Sequence, residues 1–180
     1  MNSQQLLFSI SALNPVQQFK LLFEAMYILC TQQNWGDPFS YARSREIYMA
    51  GALGHQIAST YSGEDAISPN PEEGEVEYKS TIDKNIKGTY NGISVQSTWE
   101  EQEEYIINEK IGKYNSHYFA RFDGGTIAEI WKMNSSNVLG VLLPKIRKQY
   151  PKKKQGNSKD PRIGVTISTK EIKTYGIQIQ

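Results

Sequence analysis

Cysteine and histidine are scarce in this sequence, and their scarcity excludes several kinds of site. Cys30 is the only cysteine among the 180 residues, and His55 and His117 are the only histidines. A single cysteine excludes an internal disulfide and a cysteine-rich zinc site. Because the two histidines have no metal-ligand spacing, each is expected to be a surface or structural residue. No P-loop is present either, so we expect no nucleotide cofactor and no ATP-driven motor.

Long apolar runs are also missing. No run approaches the length of a membrane span, and the first residues, MNSQQLLFSIS, lack the basic stretch that opens a signal peptide. With 38% hydrophobic and 11% aromatic residues, the chain still has enough apolar side chains to build a core. We therefore expect a cytoplasmic globular protein without a membrane partner. Its length predicts a single domain over residues 1–180.

Charge is present in quantity but is unevenly distributed. Residues 61–109 carry twelve acidic and three basic side chains, whereas the C-terminal region, residues 144–180, carries ten basic and two acidic ones. Basic clusters such as Lys152, Lys153 and Lys154 can contact phosphates, although a lysine run is equally often a solvated or mobile segment. The sequence alone leaves these two interpretations of the lysine run open.

Periodicity and turn signals predict a mixed α/β fold with a central sheet flanked by helices. In the first helix, Val16, Phe19, Phe23 and Met26 form an apolar stripe, which fits a core face or a dimer seam. The predicted helices cover residues 15–33, 38–53, 98–111, 135–149 and 169–175. The predicted strands lie in 55–60, 61–67, 74–81, 85–96, 116–123, 126–133 and 162–168, and a basic loop is expected at 151–161.

One acidic residue interrupts an apolar helix face. If a helix opens at Asp37-Pro38 and Gly54 closes it, Glu46 falls in the middle of a face formed otherwise by apolar side chains. A buried carboxylate is costly unless a cation meets it. Glu46 therefore predicts either an ion pair with a core-facing Arg or Lys, or a place near a metal.

The stretch EVEYKST, residues 75–81, gives the most specific chemical signal. Because side chains alternate along a strand, Glu75, Glu77 and Lys79 share one face. Asp65 lies twelve residues before Glu77, and a hairpin through SPNPEEG would bring Asp65, Glu77 and Lys79 together at one end of a sheet. Paired carboxylates are ligands that Mg²⁺ prefers. A neighbouring lysine can orient or activate an attacking water. Glu75, further along, is expected to be solvated or paired with a base.

A second Glu-x-Lys triplet tests how specific this signal is. Glu171 and Lys173 have the same spacing, and Asp160 precedes them. Ser168 and Glu171, however, form a capping-box pattern, which places the second triplet on a short helix. Two residues apart on a helix, its side chains do not face each other, so we interpret it as a chance match.

The segment GHQIASTYSGEDAI…EVEYKS resembles the core of the PD-(D/E)XK nuclease superfamily, which includes most type II restriction endonucleases. The resemblance covers about residues 40–97 and assigns the motif positions to Asp65, Glu77 and Lys79. Glu64 stands where the family often has proline. Glu46 matches a glutamate that many members carry on the helix before the first core strand. The resemblance implies an αβββαβ core, a metal held by Asp65, Glu77 and the backbone carbonyl of Tyr78, and Glu46 at a second metal or bound through water.

The function that the resemblance implies is Mg²⁺-dependent, sequence-specific cleavage of double-stranded DNA by a homodimer, with Mn²⁺ as the expected substitute metal. Lys79 would position or activate the attacking water. DNA phosphates would be contacted by basic side chains outside the acidic pocket: Lys84, Lys87, Lys152, Lys153, Lys154 and Arg162. Two alternatives stay open, a repair or recombination nuclease of the same fold and a non-catalytic DNA-binding module.

Overall fold

The computed structural model describes residues 1–59, 63–156 and 161–180, and the chain divides into two compact units, Met1–Ser44 and Arg45–Gln180. The predicted turn at Tyr61 and Ser62, and the loop position of Asp160, lie outside the described residues. Among the described residues, no helix is long and apolar enough to cross a membrane. The prediction of one nuclease domain over the whole length stays a prediction.

The N-terminal unit is helical and contains α1 (Ser3–Ser9) and α2 (Pro15–Gln32). Asn14 and Gln17 form a capping box at the start of α2, where proline occupies the first turn, so the predicted helix is confirmed. The next helix, α3 (Arg43–Leu53), begins five residues later than we predicted. The cause is local: Oδ1 of Asp37 accepts a hydrogen bond from the Phe39 amide at 2.9 Å, which makes a turn instead of a helix start.

The C-terminal unit is built on a six-stranded mixed sheet. Its strands lie in the spatial order β1-β2-β3-β5-β6-β8, and only the central β3–β5 pair is parallel among the described pairings. Glu77 pairs with His117 in that register. The bounds are β1 (Gln56–Ile57), β2 (Ala66–Ile67), β3 (Glu75–Thr81), β5 (Ser116–Asp123), β6 (Thr126–Asn134) and β8 (Ile177–Gln178).

A second, two-stranded antiparallel sheet consists of β4 (Gly88–Ile93) and β7 (Ile163–Ile167). The remaining helices are α4 (Trp99–Tyr105), followed by a π-helical turn at Ile106–Lys110, α5 (Ser135–Lys154) and α6 (Thr169–Tyr175). The core lies where α5, the small sheet and the main sheet meet. It buries Val138, Leu142 and Ile146 of α5 with Phe119 and Met133 of the main sheet.

The mixed α/β class is confirmed, but one further helix boundary is wrong, and one predicted helix changes type before it ends. Helix α5 continues to Lys154 and includes Pro144 and Pro151, so the lysine run is helical and is not part of a loop. The acidic helix ends at Tyr105 and continues as the π-helical turn. The second Glu-x-Lys triplet lies on α6 as expected, because Ser168 and Glu171 form the capping box there.

Candidate active site

The hairpin of β2 and β3 brings Asp65 beside the centre of β3. Ala66 pairs with Val76, and the Asp65 amide donates to the Val76 carbonyl at 3.1 Å. Gly74 turns the chain with a φ of 56°, a left-handed conformation that glycine tolerates. The predicted convergence through SPNPEEG is therefore confirmed for the backbone.

Hydrogen bonds then connect the side chains of the motif. The Tyr78 amide donates to Oδ2 of Asp65 at 2.7 Å. Nζ of Lys79 donates to Oε1 of Glu77 and, at 3.0 Å, to the backbone carbonyl of Tyr78. Both side chains of the ion pair are largely shielded, with exposed fractions of 19% for Lys79 and 16% for Glu77. The sequence motif thus corresponds to one contiguous cluster of three residues and one carbonyl.

Negative charge exceeds positive charge in this cluster. Burial and the neighbouring carboxylate of Glu77 raise the pKa of Asp65 to about 8, although Lys79 and the Tyr78 amide act in the opposite direction. Burial opposes the charge of Lys79, but the carboxylates of Glu77 and Asp65 outweigh it and raise the pKa of the ammonium. A single ammonium therefore offsets the charge of several carboxylates, and a further cation would stabilise them.

Glu46 lies in the first turn of α3 and adds to the negative electrostatic potential around Asp65 and Lys79. Its charge is one of the causes that raise the pKa values of Asp65 and Lys79. The neighbouring Arg45 connects α3 to β3, because its Nε donates to Oγ of Ser80 at 2.8 Å. Glu46 is therefore electrostatically coupled to the motif, and its role as a metal ligand stays a prediction.

The opposite face of β3 anchors the strand. Nδ1 of His55 and the hydroxyl of Tyr78 are 2.8 Å apart, and the Tyr118 hydroxyl donates to Glu73 at 2.9 Å. Glu73 also forms an ion pair with Lys132. The bond to His55 holds the Tyr78 side chain behind the strand, and Glu73 connects the loop before β3 to β5 and β6. His55 is thus structural, as expected.

One residue of the site, Tyr90, is not indicated by the sequence. Nζ of Lys79 lies 5.0 Å from the centre of the Tyr90 ring, and the Tyr90 hydroxyl is 2.9 Å from Nδ1 of His117. His117 is fully buried, and burial together with the nearby charge of Lys79 lowers its pKa to about 3. Nothing in the sequence indicates this contact, because Tyr90 belongs to a strand of the other sheet. The expectation of a structural role for His117 agrees with its burial.

The donor set fits a divalent cation of the Mg²⁺ type. The Lys79 ammonium contacts both the Glu77 carboxylate and the Tyr78 carbonyl, so these oxygens already converge on one positive charge. Two carboxylates and a carbonyl are a usual protein contribution to Mg²⁺, which keeps several waters. Among the described residues, no group of three or more His, Cys, Asp or Glu side chains is arranged to hold a metal. Asp65 and Glu77 interact electrostatically, and their role as metal ligands stays a prediction.

The predicted DNA-binding residues fall into separate places. Lys153 and Arg162 line one groove of about 660 Å³ between α5 and the small sheet, together with Asn91 and Gln149. Lys152 lines an adjoining groove of about 460 Å³ that shares Gln149 and Gly164 with the first. We call the two grooves the α5–β7 groove. Outside it, Lys154 donates to the Ser97 carbonyl, Lys87 pairs with Asp83 at 2.5 Å, and Lys84 is exposed.

No protein-family model matches the chain. The curated proteins likewise include no significant match.

Proposed function

We propose that the protein is a Mg²⁺-dependent endonuclease of the type II restriction kind that cleaves double-stranded DNA at a specific sequence. The observation that carries this proposal is the cluster of Asp65, Glu77 and Lys79, joined through the Tyr78 amide and carbonyl. The order of α3, three antiparallel strands, β4, α4 and a strand parallel to β3 supports the αβββαβ core that the motif implies, with β4 as an additional strand outside the main sheet.

Asp65 and Glu77 would hold the cation, with the Tyr78 carbonyl as a third donor and Glu46 near a second metal or bound through water. Bound Mg²⁺, or Mn²⁺ in its place, would stabilise the negative charge that develops on the scissile phosphate. The excess of carboxylate charge around Asp65 favours such binding, because a cation offsets the repulsion that raises the pKa of Asp65.

Lys79 would act on the water and the phosphate. Its ammonium is held within hydrogen-bonding distance of the Tyr78 carbonyl and of Glu77, so its position is defined before DNA binds. From there it would orient the attacking water by a hydrogen bond and offset charge on the phosphate oxygens. Its raised pKa keeps it protonated near neutral pH, which favours orientation over proton abstraction.

DNA affinity would come from the basic surface, because a carboxylate cluster repels phosphates. Lys153 and Arg162 line one wall region of the α5–β7 groove, and Lys145, Lys148 and Lys152 line its continuation. Such side chains contact phosphates without reading sequence. Two-fold symmetric cleavage of both strands is most simply performed by a homodimer. Lys84, Lys87 and Lys154 stay predicted phosphate contacts.

Digestion of plasmid DNA with Mg²⁺ tests the proposal and separates it from its alternatives. Discrete fragments with defined ends support a restriction enzyme. A preference for branched or damaged substrates supports a repair or recombination nuclease, whose cluster would be the same. Wild-type protein that binds DNA but cleaves no substrate with Mg²⁺ or Mn²⁺ would show that it is a non-catalytic module.

A further inference from the structure

Lys79 has a third contact besides Glu77 and the Tyr78 carbonyl, and no part of the motif supplies it. The ring of Tyr90 lies under the ammonium, with Nζ 5.0 Å from the ring centre. A cation over an aromatic face is attracted by the ring, and the attraction is strongest where water is excluded. Tyr90 is 5% exposed, so this ring is a dry surface.

His117 fixes the position of the Tyr90 ring. The Tyr90 hydroxyl and Nδ1 of His117 form a hydrogen bond of 2.9 Å, and the two rings meet nearly edge to face with centres 5.8 Å apart. His117 is fully buried in β5, next to Glu77 in register. The Tyr114 ring also packs edge to face against His117, with ring centres 6.0 Å apart, so the imidazole that bonds to Tyr90 is itself held in place.

Gly88 allows the small sheet to lie close enough to the main sheet for the Tyr90 ring to contact Lys79. A methyl group at Gly88 would lie 2.3 Å from Cε1 of Phe119 and 3.1 Å from Cβ of Lys79. Only a residue without a side chain lets β4 approach β3 and β5 so closely two residues before Tyr90. The approach of β4 to Lys79 is thus built into the backbone packing.

We propose that Tyr90 is a positioning residue whose ring, anchored by His117, holds the Lys79 ammonium in place beside Glu77 and Asp65. The kinetic consequence rests on the proposed nuclease function. When Glu77 binds a cation, Lys79 loses part of its contact with that carboxylate. The Tyr90 ring then keeps the ammonium from swinging away from the attacking water.

The test compares Tyr90→Leu, which removes the ring, with Tyr90→Phe, which keeps the ring and loses only the hydroxyl. We expect Tyr90→Leu to slow single-turnover DNA cleavage by about tenfold without weakening DNA binding. Tyr90→Phe should lose at most about threefold, because the ring still faces Lys79 and only its anchor at His117 is removed. If Tyr90→Leu does not fold, Tyr90→Met supplies a flexible apolar side chain at the same position.

A second readout needs no DNA. Acetic anhydride labelling, read lysine by lysine by mass spectrometry, measures how well Lys79 is held and shielded. The ring-removing variants should raise labelling of Lys79 by at least about threefold. Trp131→Leu is the matched control, since Nζ of Lys173 lies 5.8 Å from the Trp131 ring centre. It should raise labelling of Lys173 and leave Lys79 and cleavage unchanged.

Unchanged labelling of Lys79 in a folded Tyr90→Leu or Tyr90→Met variant would overturn the positioning role, whatever happens to cleavage. A wild-type protein that never cleaves DNA would instead refute the nuclease proposal. The labelling of Lys79 would still decide whether Tyr90 has a positioning role.

Discussion

The charge state of Asp65 depends on its burial and on the charged groups around it. Its ionised form is disfavoured by burial and by the charges of Glu77 and Glu46, so at neutral pH without metal it destabilises the fold that presents it. Because its folded pKa is raised above the unfolded value, the folded state binds the proton more tightly. Stability should therefore fall as pH rises from about 4 to about 8.

Asp65→Asn removes this charge and keeps an oxygen for the Tyr78 amide. In EDTA, we expect the variant to be more stable than the wild type, with an advantage that grows by at most about 1.4 kcal/mol per pH unit over that window. Urea unfolding at several pH values measures it. Added Mg²⁺ should stabilise the wild type but not Asp65→Asn, because the cation binds the folded carboxylates. An advantage that is independent of pH would contradict the electrostatic account.

At the scale of elements, the contact between β4 and the main sheet depends on Gly88. Gly88→Ala would press a methyl group against Phe119 and the stem of Lys79, and such overpacking costs about 1 to 3 kcal/mol of unfolding free energy. Gly140→Ala is the matched control, because a Cβ at Gly140 meets nothing within 4 Å and lies inside helix α5. It should stabilise the fold by about 0.5 to 1 kcal/mol. Equal effects of the two substitutions in chemical unfolding would refute the close-approach argument.

The α5–β7 groove makes a separate prediction about affinity. Lys153→Gln and Arg162→Gln should each weaken binding to all DNA sequences alike and reduce the salt dependence of log K by about one unit. Fluorescence anisotropy over a range of salt concentrations measures both quantities. Lys110→Gln, an exposed lysine at the end of the π-helical turn, is the control and should change neither. A salt slope unaffected in both groove variants would place the DNA elsewhere.

The elements also show which features the sequence can predict. Strands β3, β5 and β6 and helix α2 follow from alternation, periodicity and caps, which are local signals. The predicted start of α3 was wrong because the side chain of Asp37 competes with the helix for nearby backbone amides. The extension of α5 past Pro151 to Lys154 was missed because tertiary packing of its buried stripe overrides the proline signal.

The same distinction holds within the candidate site. Asp65, Glu77 and Lys79 could be predicted from the sequence because a hairpin connects them over a short stretch. Tyr90 could not be predicted, because its approach to Lys79 requires the second sheet to pack against the first. Contacts between separate sheets leave no periodic signal in a single sequence.

At the scale of the whole molecule, the predicted homodimer depends on the apolar stripe of α2. Phe19 and Val16 are 69% and 78% exposed, and the only charged side chains of α2 are Lys20 and Glu24, which pair with each other at 3.6 Å. Phe19→Asp should therefore convert a dimer to a monomer in sedimentation velocity, because it would place an unpaired charge in the seam. Ala25→Asp is the matched control, because it places the same charge on the exposed face of α2 opposite Val16 and should leave the dimer intact. A monomeric wild-type protein would contradict the prediction of a dimer seam on α2.

Loss of cleavage in Lys79→Ala is the most direct test of the nuclease account. The matched control is Lys173→Ala, the lysine of the second Glu-x-Lys triplet, which lies on α6. With Mg²⁺ and plasmid DNA, we expect Lys79→Ala to lose at least about 100-fold in cleavage rate while retaining DNA affinity. Lys173→Ala should cleave like the wild type. Equal cleavage by all three proteins would show that the cluster at Asp65, Glu77 and Lys79 does not perform the chemistry.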